Sequence, residues 1–330
     1  MLDQLGLGWS GRRSRAIQIA LRAYFYIGRR LARDPVPRLV PPGTEKTLVI
    51  MEDRKAARYA RFRQTNIDLC ASVFDVVLAV SERSRKVLID RGVPAGKIAV
   101  SYIGTAHAKV FAHAQRKRSV APGLHIAYLG YMRAGKGFFF FLDSLFSIPD
   151  HLARDISITI AAPFRGDEVV NRLKGVVHRF RNIILHRGYT HATLDKVLAG
   201  VNLGVVPVLW EDNLPQVAIE IVSRGIPILT SDRGGAQEIA GNPEFVFEAG
   251  SMRAFCAKVE EIATGRLPLA RFWRHSSRIF SMDAHVDDLL SYYRGDVGPA
   301  ALSACSDSRP HAEPLALHDY ALEASRRSDA

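Results

Sequence analysis

The stretch Leu203 to Ala240, LGVVPVLWEDNLPQVAIEIVSRGIPILTSDRGGAQEIA, decides the fold. It opens with an apolar run from Leu203 to Leu209. A short apolar run bounded by turn residues reads as a strand buried on both faces, as in a parallel sheet. Trp210-Glu211-Asp212-Asn213 is polar and turn-prone. Pro215 suits the first turn of a helix, and Asn213 is the expected N-cap. Val217, Ala218, Ile221 and Val222 recur at helical spacing and form one apolar face. Gly225 stops this helix, and Pro227 stands guard behind it. A second strand is expected over Ile226 to Thr230, then a tight loop at Gly234-Gly235 and a helix from Ala236 to Ala240. Strand, helix, strand, helix is the grammar of a doubly wound parallel sheet, whose ligands bind at the carboxyl ends of the strands. Glu211, Asp212 and the Gly234-Gly235 loop fall at that edge.

That edge has a chemistry. A helix N-terminus offers unpaired N–H groups and a positive dipole end, which suits phosphate. Asp212 and Glu220 stand eight residues apart, about two helical turns. Their carboxylates can accept hydrogen bonds from sugar hydroxyls. Phosphate together with two sugars describes a nucleotide-sugar. Glu220 is flanked by apolar residues in VAIEIV, which argues against an ordinary solvated position. Asp212 taken alone reads as a capping acid.

These segments resemble the donor-site signature of the GT-B glycosyltransferases of family 4, the group 1 transferases. The resemblance rests on Asp212-Asn213-Leu214-Pro215 through Glu220, Arg224-Gly225-Ile226-Pro227, and Ser231-Asp232-Arg233-Gly234-Gly235-Ala236-Gln237-Glu238. It extends from about Ile67 to about Tyr293. Upstream, Leu124 to Leu129 reads as a strand and Gly130-Tyr131-Met132-Arg133-Ala134-Gly135-Lys136-Gly137 as a glycine-rich loop before an apolar helix, Phe138 to Leu145. Such a loop makes a phosphate cradle. It is similar to the family's cation-bearing loop. Lys136 and Gly137 fit that pattern; Tyr131 holds the arginine's place, and Arg133 follows two residues later. Around Gly188-Tyr189-Thr190-His191 the family contacts the nucleotide base.

The resemblance implies an α/β chain of GT-B type, two Rossmann-like domains facing a cleft. The expected parts are a partial N-terminal acceptor-side domain over 1–112, a linker over 113–122, a nucleotide-sugar-binding domain over 123–295 and a disordered tail over 296–330. No glycine-rich acceptor loop precedes Thr47, so the N-terminal domain is expected to lack part of its usual length. Phe74 to Ser81 reads as a strand entering a helix capped by Ser81, and Lys97 to Tyr102 as the next strand. The family's Asn-Gly turn is here Ile103-Gly104-Thr105. Asp283 to Arg294 reads as a final amphipathic helix, which in the family braces the other domain.

The activity implied is transfer of a sugar, with retention, from a nucleotide diphosphate sugar to a saccharide or lipid-linked saccharide in surface polysaccharide or glycolipid synthesis. Lys136 and Arg133 would neutralise the leaving diphosphate, Asp212 would hold the transferred sugar and Glu220 the ribose. Gly130, Gly137, Gly188, Tyr189, Asn213, Leu214, Pro215, Gly234 and Gly235 complete the expected substrate site. No Asp-x-Asp triplet occurs, so no metal and no cofactor is expected. The alternative is a non-catalytic or split-enzyme donor-binding module that needs a partner chain.

Composition sets wider bounds. The 330 residues are 48% hydrophobic and 24% charged, as in an ordinary globular protein. Three scattered cysteines make neither a disulfide framework nor a metal pattern, which suggests a reducing, cytoplasmic setting. The net charge of +12 favours anionic partners. No recognised nucleic-acid motif accompanies it, so nucleic acid is not an expected partner. Arginines crowd Gly11 to Asp34, which reads either as a basic amphipathic helix on the anionic inner face of a membrane or as a domain helix with a solvated basic rim. Pro35 to Gly43 reads as a linker, Thr47 to Met51 as a strand, and Arg54 to Ala71 as an arginine-rich helix.

Overall fold

The computed structural model describes residues 45–114, 123–163, 167–275 and 277–294. The basic stretch at Gly11 to Asp34, the proline-rich 35–43 and the tail 296–330 lie outside the described residues. The chain divides into two units, 1–62 and 63–330. The first contributes the opening of one helix; both sheets and all later helices belong to the second.

Helix α1 runs unbroken over Glu45–Val73. The strand expected at Thr47 to Met51 is therefore part of a helix. A four-residue apolar run does not discriminate between the two states, and no strand pairs with this one among the described residues.

A small parallel pair comes next. Strand β1 (Val77–Ala79) lies beside β2 (Ile98–Val100), with Val77 opposite Ile98. Helix α2 (Glu82–Asp90) connects them. Ser81 is extended, fully buried, and caps α2 by accepting from the Ser84 amide at 3.1 Å. Ile98, Ala79 and Val93 form a core of their own beneath α2. Helix α3 (His107–His113) ends this part.

The larger sheet has six parallel strands: β3 (Leu124–Leu129), β4 (Ile156–Ala161), β5 (Asn182–His186), β6 (Leu203–Val206), β7 (Ile228–Ser231) and β8 (Val246–Phe247). Their spatial order is β5-β4-β3-β6-β7-β8. Strand order reverses between β3 and β6, where Ile126 pairs with Leu203 and Tyr128 with Val205. That is the switch point at which open α/β sheets bind ligands. All residues of β6 and β7 are buried, as strands covered on both faces must be.

Helix α4 (Phe138–Ser147) buries Phe138, Phe141, Leu142 and Leu145, an i, i+3, i+4, i+7 stripe against the sheet. Short helices α5 (Asp150–Ala153), α6 (Glu168–Lys174) and α7 (Leu194–Val197) come after it. Helix α6 stops at Lys174 and the chain resumes as a single 3-10 turn at Val177–Arg179, because Gly175 is a poor helix former. Helix α8 (Gln216–Val222) and α9 (Ala236–Ala240) cover β6 and β7. Helix α10 (Met252–Ala263) packs on α4 through Phe255, whose ring meets Phe140 and Phe141 edge-on.

The chain then returns to the small pair. Phe280 bridges Gly104 and stacks on Tyr102 at 5.2 Å. Helix α11 (Met282–Arg294) places His285 Nδ1 3.4 Å from Ser101 Oγ. Residues 63–330 form one unit; of the linker expected over 113–122, residues 115–122 lie outside the described residues. No helix among the described residues is long and apolar enough to cross a membrane.

Candidate active site

A cleft of about 1070 Å³ opens at the switch point. Its floor is the carboxyl ends of β3 and β6, through Tyr128 to Gly130 and Val205 to Val208. One wall is the Gly188-Tyr189-Thr190-His191 loop after β5. The other is the entry to α8, through Asp212, Leu214, Pro215, Gln216, Val217 and Glu220.

Lys136 reaches this cleft from the glycine-rich loop. Its Nζ lies 2.5 Å from Asp212 Oδ2 and 5.4 Å from the centroid of the Trp210 ring. The Asp212 side chain is only 13% exposed. The loop depends on Gly137, which sits at φ +73° and would place a Cβ 1.7 Å from the Pro207 carbonyl oxygen. No side chain fits there. This close approach turns the chain into α4 directly after Lys136. Tyr128 supports the loop from below by donating to the Tyr131 carbonyl at 2.9 Å.

Glu220 lies on the inner face of α8 and is 6% exposed. A carboxylate so buried needs partners. The Tyr189 hydroxyl donates to Glu220 Oε2 at 2.6 Å. Burial first, and then this hydrogen bond, push the Tyr189 phenol above its ordinary range. One turn on, the Arg224 guanidinium donates to the Glu220 carbonyl oxygen at 2.9 Å and pairs with Asp195.

The described residues also bring His107, His191 and Glu220 together, with one ligand-type atom from each lying within 4.8 Å of the others. These are metal-binding residue types. Arg224 Nη1 lies 3.3 Å from His107 Nδ1, which sets a fixed cation beside the group. Burial, then Arg224, lower the His107 pKa. In sequence, His191 reads as a plain loop histidine and His107 draws no notice, because their neighbours come from three separate elements.

Other expected site residues stand beside the cleft. Arg133 is exposed and does not line it; its guanidinium lies 5.2 Å above the Tyr131 ring, which does. Asn213 is not the cap of α8. Pro215 occupies that position with no side-chain cap, two residues too far along for the Asn213 side chain. Gly234 and Gly235 lie behind the wall. Gly234, at φ +65°, would place a Cβ 2.2 Å from the Asp212 carbonyl oxygen, and the Gly235 amide donates to that oxygen at 2.9 Å. These two glycines let the loop after β7 press against the loop after β6.

Sequence reading leaves one set of partners unassigned. Arg83 forks onto Glu211, with Nε 2.7 Å from Oε2 and Nη2 against Oε1. Ser81 Oγ donates to the Asn213 carbonyl at 2.7 Å. Glu238 accepts from the amides of Glu82 and Arg83 at 2.9 and 2.8 Å, and from Tyr102 Oη at 2.6 Å. A carboxylate on two free amides at a helix start is a charge-assisted cap. Val80-Ser81-Glu82 and Glu238 both stand in the resemblance, yet nothing local says that these segments meet.

A six-stranded sheet reversing between its first and fourth strands, with a lysine-bearing glycine loop and a buried carboxylate at the reversal, defines a doubly wound α/β domain with its cleft at the switch point. Residues 123–264 match the family described as glycosyl transferases group 1. HepE from Anabaena in complex with UDP superposes with a TM-score of 0.52 at 16% identity, covering 70% of this chain and 68% of that one. The lipopolysaccharide outer core galactosyltransferase WaaB, in its apo form, gives 0.53 at 15%, covering 67% and 62%. The α,α-trehalose 6-phosphate synthase of Burkholderia multivorans gives 0.52 at 16%, covering 74% and 63%. These likenesses establish the GT-B fold. The chain spans between 62% and 68% of the length of those three structures. No curated protein sequence matches the chain.

Proposed function

We propose that the chain is a retaining, metal-independent glycosyltransferase that takes a sugar from a nucleoside diphosphate, UDP in the first instance, and adds it to a hydroxyl of a saccharide or lipid-linked saccharide. Surface polysaccharide or glycolipid synthesis, in the cytoplasm, is the proposed setting. The observation that carries this reading is the Lys136–Asp212 pair opposite the Tyr189-held Glu220, all in one cleft at the switch point. HepE crystallised in complex with UDP, which supports UDP as the first donor nucleotide to try.

Lys136 and the amides opening α8 stabilise negative charge on the leaving diphosphate. Arg133 reaches the diphosphate by leaving the Tyr131 ring. Glu220 accepts from a ribose hydroxyl through the oxygen that Tyr189 does not use. Asp212 accepts from a hydroxyl of the transferred sugar. Neither carboxylate of the cleft acts as a covalent nucleophile: Asp212 is neutralised by Lys136, and Glu220 is turned toward Tyr189. The stretch Gly11 to Asp34, outside the described residues, would carry the protein to an anionic membrane surface; co-sedimentation with anionic liposomes should fall with salt and on deletion of residues 1–34.

Calorimetry with UDP in the presence of a chelator tests the reading. Binding is expected without metal. Lys136→Ala should weaken it by about 1.5–3 kcal/mol, the range for a hydrogen bond to a charged group. UDP binding that appears only with added magnesium, manganese or zinc would overturn the metal-free mechanism.

A further inference from the structure

We infer that Arg83 is a positioning residue for the donor cleft, acting through Glu211 to hold the loop that carries Asp212 against Lys136. The inference rests on the proposed glycosyltransferase function. Asp212 belongs to a loop with open space on both sides. It lines the donor cleft, and it also lines a second cavity of about 240 Å³ walled by Leu78, Val80, Arg83 and Val87. Apolar packing therefore cannot fix where the Asp212 carboxylate points. Polar ties do so instead: the Gly235 amide holds the Asp212 carbonyl at 2.9 Å, and further ties act on its two neighbours. Glu211 is gripped by the Arg83 fork, by Arg233 at 3.2 Å and by the Gly234 amide at 3.2 Å. Asn213 is held through its carbonyl by Ser81 at 2.7 Å. With both flanks held, Asp212 is the carboxylate of this loop that faces the donor cleft, 2.5 Å from Lys136.

The fork is itself pre-set. Glu238 binds the backbone amides of Glu82 and Arg83. The first turn of α2 is thereby anchored to α9, the helix that comes after the Gly234-Gly235 loop. Arg83 thus reaches Glu211 from a backbone already docked on the same domain. An arginine fork on a carboxylate fixes direction as well as distance, which a lysine at the same place would not do. Misplacing a group in a reacting site by about 1 Å lowers the rate on the order of 100-fold. A side chain that contacts no donor can therefore govern turnover.

The test has a ligand-free arm and a kinetic arm. In the full chain without nucleotide, the rate at which Lys136 is acylated is followed by mass spectrometry. Arg83→Met and Glu211→Gln should each raise it severalfold, because the ammonium loses its fixed partner. The double variant should add nothing beyond either single change. In the kinetic arm, UDP release from UDP-glucose or UDP-galactose should fall by about 10- to 100-fold. Affinity for UDP itself should stay within about threefold. Arg83→Lys, which keeps the charge but not the fork, should recover part of the rate. Unchanged Lys136 labelling in Arg83→Met would overturn the inference. So would UDP affinity and melting temperature falling in step with turnover, which would make Arg83 a support of the fold alone. A wild type that turns over neither sugar, while Lys136 labelling still responds to Arg83→Met, would sink the functional reading and uphold the positioning of Asp212.

Discussion

The Tyr189 hydroxyl donates to Glu220 Oε2 across the donor cleft at 2.6 Å, joining the loop after β5 to the inner face of α8. Glu220 has two oxygens, and this bond commits one. Tyr189→Phe removes the donor and keeps the ring. The carboxylate then loses its orientation while staying buried. UDP affinity should fall by about 1–2 kcal/mol, the scale of one hydrogen bond to a charged group lost at one remove. Glu220→Gln should weaken UDP and UDP-sugar alike. A Tyr189→Phe protein that binds UDP as the wild type does would show that the tyrosine only fills space.

Gly137 sets the approach of the lysine loop to β6. Gly137→Ala meets the Pro207 carbonyl and a left-handed backbone at once. The backbone penalty alone is about 1 kcal/mol, and the clash adds to it. The loop must move, taking Lys136 with it. Loss of UDP binding together with a lower melting temperature is expected. Normal UDP affinity in this variant would mean that Lys136 does not meet the diphosphate.

How much of the fold and the cleft is legible in the sequence depends on range. The sheet, the lysine loop and the Asp212–Glu220 spacing emerge from contiguous patterns: apolar runs, glycines and a two-turn interval. The tie from Arg83 to Glu211 spans 128 residues, and no local pattern encodes it. The eight-residue spacing to Glu220 selects Asp212 over its neighbour Glu211, but that Glu211 turns to α2 instead has no local signal. Strand β8 is two residues long, too short for alternation to register. The run Leu48-Val49-Ile50-Met51 reads as a strand by composition and is a helix by context.

The Arg83–Glu211 pair gives a pH signature. The Arg83 hydrogen bond, foremost, lowers the Glu211 pKa from 4.5 to about 2. A folded-state pKa below the unfolded one contributes stability that is present above the unfolded value and is lost as pH falls through the folded value. The wild type should therefore melt higher than Glu211→Gln at neutral pH. That gap should close between about pH 4.5 and pH 2. A gap independent of pH over this window would mean that the Glu211 charge is not what Arg83 holds.

Asp212 and Glu220 can be separated by what each is asked to bind. Asp212 lies beside Lys136, at the end of the cleft proposed to take the diphosphate and the transferred sugar. Glu220 lies beside Tyr189, toward the loop expected to hold the base. If Asp212 accepts from the transferred sugar, Asp212→Asn should lower kcat/KM for the UDP-sugar by about 1.5–3 kcal/mol. Affinity for UDP should be held or should rise, because Lys136 loses its carboxylate competitor and is free for phosphate. That rise distinguishes a sugar-binding acid from a structural one, whose loss would loosen the lysine loop and weaken both ligands together. UDP affinity falling in parallel with kcat/KM would place Asp212 among the supports of the loop and leave the sugar without an assigned acceptor carboxylate.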